Sequence, residues 1–141
     1  MFTIKFKKMV PEAKIPEYKT KGAACADLYS VEDTILKPGV PVLVRTGLQI
    51  AYICSRYAIE IRPRSSLALK GLLILNSPGT IDSDYRGELM VIMLSLGNSY
   101  TIAVGDRIAQ MYVHRVEKGC LKEGEIVESE RGEGGFGSTG R

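Results

Sequence analysis

The sequence predicts an all-β domain with one short helix, and three observations predict it. Apolar residues recur with period two or in short continuous runs, not at helical spacing. Turn signals separate those runs: Lys37-Pro38-Gly39, Ser77-Pro78-Gly79 and Leu96-Gly97-Asn98. The runs are short, numerous and evenly spaced, as in a sandwich or barrel.

Taken in order, the first strand is signalled by Phe2, Ile4 and Phe6 alternating with Thr3, Lys5 and Lys7. Further strands are expected at 27–29, 34–36, 41–45, 49–53, 57–61, 72–75, 88–94, 100–104 and 107–114. The helix is expected after Arg64. Ser65 or Ser66 would cap it, Leu67-Ala68-Leu69-Lys70 are good helix formers, and Gly71 suits the position just past its end. Two runs, 72–75 and 89–94, are apolar without alternation, so both of their faces should be covered. A central strand and a second subunit account for that equally well.

Composition narrows the function classes. A chain of 141 residues predicts one domain. No apolar run approaches the roughly 18 residues of a membrane span, and the N-terminus has no apolar stretch of the kind a secretory signal carries. Cys25, Cys54 and Cys120 are an odd number at wide spacings without a C-x-x-C pair, which argues against a disulfide framework and for a reducing cytoplasm. The single histidine, His114, cannot build a usual zinc site and is expected as a solvent-facing strand residue. A net charge of +3 permits an anionic ligand, but the lysines are scattered without interleaved aromatics, so no nucleic acid partner is expected. The segment 131–141 has five glycines in eleven residues and cannot join a core by itself. The chain therefore divides into a β-barrel core, 1–128, and a flexible tail, 129–141, whose Phe136, Ser138 and Thr139 suit closure over a planar, anionic ligand. Gly132 to Gly137 formally matches a dinucleotide fingerprint, but no helix can follow, and Ser138 stands where a phosphate-binding loop needs Lys.

Four further segments carry polar groups that a scaffold does not need. Ala24-Cys25-Ala26-Asp27-Leu28 sets a carboxylate among apolar residues. Arg62-Pro63-Arg64-Ser65-Ser66-Leu67-Ala68 offers a guanidinium and hydroxyls beside a helix start, which suits phosphate. The third runs from Asn76 to Gly87 and contains Gly79, Thr80, Ile81, Asp82, Asp84 and Tyr85. The fourth is Gly105-Asp106-Arg107-Ile108-Ala109-Gln110. Singly, each has a structural reading: Asp27 capping a turn, Arg64 paired with Glu60, Asp106 in a turn, Tyr85 in the core.

Together with the tail, and in this order and spacing, these segments resemble the five motifs of the trimeric deoxyuridine triphosphatases (dUTP nucleotidohydrolases) over residues 22–140. Two positions depart from the family pattern, which usually has Gly where Cys25 stands and often Gly where Ser66 stands. The resemblance implies a jelly-roll-like barrel subunit in a homotrimer, with active sites shared between subunits. It implies Mg2+-dependent cleavage of dUTP to dUMP and pyrophosphate, which keeps uracil out of DNA and supplies dUMP for thymidylate synthesis. Asp82 would position the attacking water. Arg64, Ser65, Ser66, Gln110, Arg131, Ser138 and Thr139 would hold the phosphates. Asn76, Gly79, Thr80, Ile81, Tyr85 and Phe136 would hold uracil and deoxyribose, and Asp27 would reach magnesium through water. The rivals are a dCTP deaminase of the same fold, which would need a Glu where Ile92 stands, and a non-catalytic nucleotide-sensing module, which would have no use for Asp82.

Overall fold

The computed structural model describes residues 2–136. Ten strands and one helical turn follow each other as β1 (Lys5–Lys8), β2 (Ala26–Tyr29), β3 (Thr34–Leu36), β4 (Val42–Tyr52), β5 (Tyr57–Arg62), α1 (Ser65–Ala68), β6 (Leu72–Ile74), β7 (Gly79–Ile81), β8 (Glu88–Ser95), β9 (Tyr100–Ile102) and β10 (Arg107–Arg115). One sheet has the order β1-β4-β8-β6, a second has β2-β10-β5-β7, and β3 pairs with β9. All the strand pairs are antiparallel. Connections that cross between the two sheets enclose one core and make the subunit jelly-roll-like. Leu28, Val44, Leu48, Ile59, Leu89 and Ile108 lie at its centre and are sealed from solvent. Among the described residues, no helix is long and apolar enough to cross a membrane.

Four local features differ from the sequence reading. The two strands expected at 41–45 and 49–53 are one strand, β4, whose register against β8 shifts between Arg45 and Gln49. Gly47 sits in that irregularity at φ 65°, a conformation open to glycine without penalty. β7 lies in a segment that reads as turn, because three residues beginning with Gly79 are too few to show alternation. The helix is capped by Arg64 with an extended backbone, not by Ser65 or Ser66, and no side chain bonds its first amides. His114 is half-buried, and its Nδ1 is sealed without a hydrogen-bond partner, 3.8 Å from Glu60.

The apolar runs now have a definite setting. β8 alternates strictly between buried and half-buried positions, so one face packs in the core. Its other face presents Met90, Ile92 and Leu94 outward, with Leu43 and Leu75 exposed on the same sheet. This chain alone leaves that apolar face uncovered. After Arg115, residues 116–136 carry no strand or helix, and nearly all of them are exposed.

Candidate active site

Two groups of polar side chains form, one on each edge of the second sheet. The first gathers on β2 and β10. Gln110 of β10 lies opposite Asp27 of β2 on one side and Arg62 of β5 on the other. Its Nε2 donates to the Pro63 carbonyl at 2.8 Å, which fixes the bend where β5 leaves the sheet. That bend brings Arg64 back over Asp27, with Nε 3.3 Å from Oδ1. Arg107 reaches the other carboxylate oxygen at 3.0 Å, and Arg64 also donates to the Arg107 carbonyl at 3.2 Å. The pairing of Arg64 with Glu60 does not form. Glu60 takes Arg62 instead, at 2.6 Å, and that hydrogen bond holds the Arg62 guanidinium above its ordinary range. Arg64, Ser66, Lys70, Tyr100, Asp106 and Arg107 line a cavity of about 240 Å³. Ser65 and Ser66 are exposed, and their hydroxyls make no hydrogen bond among the described residues.

Asp106 has the expected turn role, since its Oδ2 accepts from the Ala103 amide at 2.9 Å. Arg107, Lys70 and Tyr100 are wall residues the sequence reading did not single out. Arg107 shares its motif with Gln110, so its spacing was visible. Tyr100 and Lys70 gave no signal, because they meet only in three dimensions.

The second group is built on β7 and the loop after it. Asn76, Thr80, Ile81, Asp82 and Tyr85 line a pocket of about 220 Å³, with Leu43, Met90 and Ile92 as its apolar floor. Gly79 is buried against Ile61 of β5. A Cβ there would come within 3.1 Å of the Asn76 amide, so the bare glycine lets that amide lie close to the strand. Tyr85 is 41% exposed and is not a core residue. Its hydroxyl donates to the Glu88 carbonyl at 3.1 Å, so the ring folds over Gly87. Arg86 pins the loop from below by donating to the carbonyls of Ser83 and Tyr85, both at 2.8 Å. Glu88 is fixed by Arg45 at 3.1 Å and by the Gly47 amide at 2.8 Å. Asp82 is exposed, and among the described residues its carboxylate has no ion-pair or hydrogen-bond partner.

No residue lines both pockets. β2 and β7 are the two edges of their sheet, three strand spacings apart. Arg64 is tied to Asp27 on the Arg62 row, whereas Asp82 follows Ile81, which pairs with Ile59. At strand spacings near 4.8 Å and a rise near 3.3 Å per residue, Asp82 and the Arg64 guanidinium are roughly 20 Å apart.

The tail residues join neither group. Arg131 closes a turn on itself, with Nε donating to the Gly134 carbonyl at 2.8 Å, and Phe136 is fully exposed. Ser138 and Thr139 lie outside the described residues.

Among the described residues, no three His, Cys, Asp or Glu side chains converge on a point. Each Asp27 oxygen is engaged by one arginine and keeps a further acceptor direction. That donor set fits a hydrated magnesium ion held mainly by phosphate oxygens, because magnesium retains several of its waters.

The model of the dUTPase family matches residues 11–140. A deoxyuridine 5'-triphosphate nucleotidohydrolase of Nautilia profundicola is 49% identical over 141 residues, covering 98% of this chain and 99% of its own. The Staphylococcus bacteriophage 80alpha dUTPase, solved with dUpNHpp, superposes with a TM-score of 0.91 at 28% identity, over 99% of each chain. A dUTPase from phage phi11 of S. aureus, described as revealing the coordination of a structural Mg(II) ion, gives a TM-score of 0.82 at 23% identity, over 90% of this chain and 99% of its own.

Proposed function

The chain belongs to the dUTPase family, and from that premise we propose how its residues divide the work. It hydrolyses dUTP to dUMP and pyrophosphate, a dUTP diphosphatase activity. Asp82 takes a water as hydrogen-bond acceptor and aims it at the α-phosphorus. An exposed carboxylate is a weak base, so its contribution is mainly orientation. Arg64, with the Ser65 and Ser66 hydroxyls, neutralises and grips the phosphate chain. Gln110 holds the Arg64 bend in place. Magnesium, when bound, would offset the charge on the phosphate oxygens, with Asp27 and Gln110 holding its waters.

Uracil is read in the second pocket. Asn76 and the backbone of 79–81 offer donors and acceptors matched to O4 and N3, and cytosine leaves them mispaired. The backbone at Gly79 excludes the thymine methyl. Tyr85 lies against deoxyribose and leaves no room for a 2′-hydroxyl. Phe136 stacks on the base, while Arg131, Ser138 and Thr139 of the 129–141 tail reach the phosphates beyond the 1–128 core.

The separation of Asp82 from Arg64 carries the assembly. The water, its acceptor and the phosphorus must lie within about 3–3.5 Å of one another in sequence, so groups some 20 Å apart cannot serve one phosphorus. Each active site therefore combines Asp82 and Arg64 from different copies of the chain. A homotrimer provides this, and the uncovered face of Leu43, Met90, Ile92 and Leu94 supports subunit contact. A deaminase is disfavoured, because Ile92 lines the Asp82 pocket and offers no proton-transfer group.

The test is pyrophosphate release from dUTP, UTP, dTTP and dCTP, each with magnesium and with chelator. The expected result is release from dUTP alone, lost on chelation. Release from none of them, with the protein folded, would leave a nucleotide-binding module, and ammonia from dCTP would mark a deaminase.

A further inference from the structure

Among the described residues, Lys70 is the one cation on the Arg64 cavity wall without a carboxylate partner. Arg64 and Arg107 both lean on Asp27, at 3.3 and 3.0 Å. Lys70 is exposed, two residues past the end of α1. It donates to the Tyr100 hydroxyl at 3.3 Å and lies 5.2 Å from the centre of that ring. Asp106 is the acid on this wall, and its Oδ2 already accepts the Ala103 amide. The cavity wall therefore sets three cations, Arg64, Lys70 and Arg107, against one acid, Asp106, while Asp27 pairs with the two arginines from outside the lining.

The two guanidiniums share one carboxylate and together keep a net positive charge, and Lys70 adds a cation that no carboxylate holds in place. Its present acceptor is a neutral phenol. A phosphate oxygen is a stronger acceptor, because charge-assisted hydrogen bonds are about twice as strong as neutral ones. An ammonium is a compact point charge with three donors on a flexible stem, suited to following a phosphate chain through a reaction.

We propose that Lys70 is a substrate-binding residue for the outer phosphates of dUTP. Its ammonium leaves the Tyr100 hydroxyl for a β- or γ-phosphate oxygen and retains the pyrophosphate group as it departs. This assignment rests on the dUTP reading above.

The experiment measures calorimetric binding of dUMP, dUpNHpp and inorganic pyrophosphate, with magnesium, to the wild type and to Lys70→Gln and Lys70→Arg. It is accompanied by thermal melts and by kcat and KM for dUTP. The expected result is about tenfold weaker binding of dUpNHpp and pyrophosphate to Lys70→Gln, with dUMP affinity and melting temperature unchanged. The KM for dUTP should rise in parallel, and Lys70→Arg should recover most of the loss. If wild type cleaves dUTP and Lys70→Gln binds all three ligands as wild type does, the assignment falls and the dUTP reading stands. An equal loss for dUMP also overturns it, because Lys70 would then be shaping the site as a whole. A wild type that neither binds dUpNHpp nor cleaves dUTP overturns both.

Discussion

Tyr85 owes its position to a missing methyl group. A Cβ on Gly87 would collide with the Tyr85 hydroxyl, the same hydroxyl that bonds the Glu88 carbonyl. Gly87→Ala must therefore displace the ring from its place on the wall of the Asp82 pocket. Discrimination of dUTP from UTP, measured as the ratio of kcat/KM values, should fall about tenfold in Gly87→Ala and at least as far in Tyr85→Ala. An unchanged ratio would remove Tyr85 from sugar recognition. Asp82 poses the opposite case, a carboxylate with no partner to lose. Asp82→Asn should keep dUpNHpp affinity and lose turnover by about a hundredfold or more, since correct orientation and proton acceptance are both removed. Binding and kcat measured on the same preparation separate the two effects.

The elements show where stability is concentrated and where it is not. Gly47 lets β4 shift register against β8 while its amide holds Glu88. An added Cβ would meet Val10 at 2.8 Å, Val31 at 3.0 Å and Ala13 at 3.1 Å, on a backbone at φ 65°. Gly47→Ala should destabilise the fold by about 2–4 kcal/mol in a denaturant titration, from backbone strain and overpacking together. The tail behaves differently, because residues 129–136 carry no strand or helix and all but Gly134 and Gly135 are exposed. Truncation after Ser129 should leave the melting temperature unchanged and slow dUTP hydrolysis severely; full activity would show the tail to be dispensable. The elements also divide into those the sequence made legible and those it hid. β10 was visible through its partial alternation, and β8 through its continuous apolar run bounded by turn residues. β7 was hidden by its length, and the unity of β4 by the glycine that bends it. The cap at Arg64 was hidden because Ser65 and Ser66 are better cap formers, yet their hydroxyls are left exposed. Of the candidate site, the motif residues were legible as types in order. The Asp27–Arg107 bond and the meeting of Lys70 with Tyr100 were not, because they join residues 80 and 30 positions apart.

At the scale of the whole molecule, the two polar groups occupy opposite edges of one sheet, and only association can bring their counterparts together. The most direct test combines two separately inactive variants, Asp82→Asn and Arg64→Ala, unfolded together in equal amounts and refolded. In mixed trimers, some interfaces pair an intact Asp82 from one subunit with an intact Arg64 from the other. For random mixing, about a quarter of the wild-type activity towards dUTP should return, while each variant refolded alone stays inactive. A mixture no more active than its components, with mixed trimers shown to be present, would place both residues in a site within one subunit and contradict the shared arrangement.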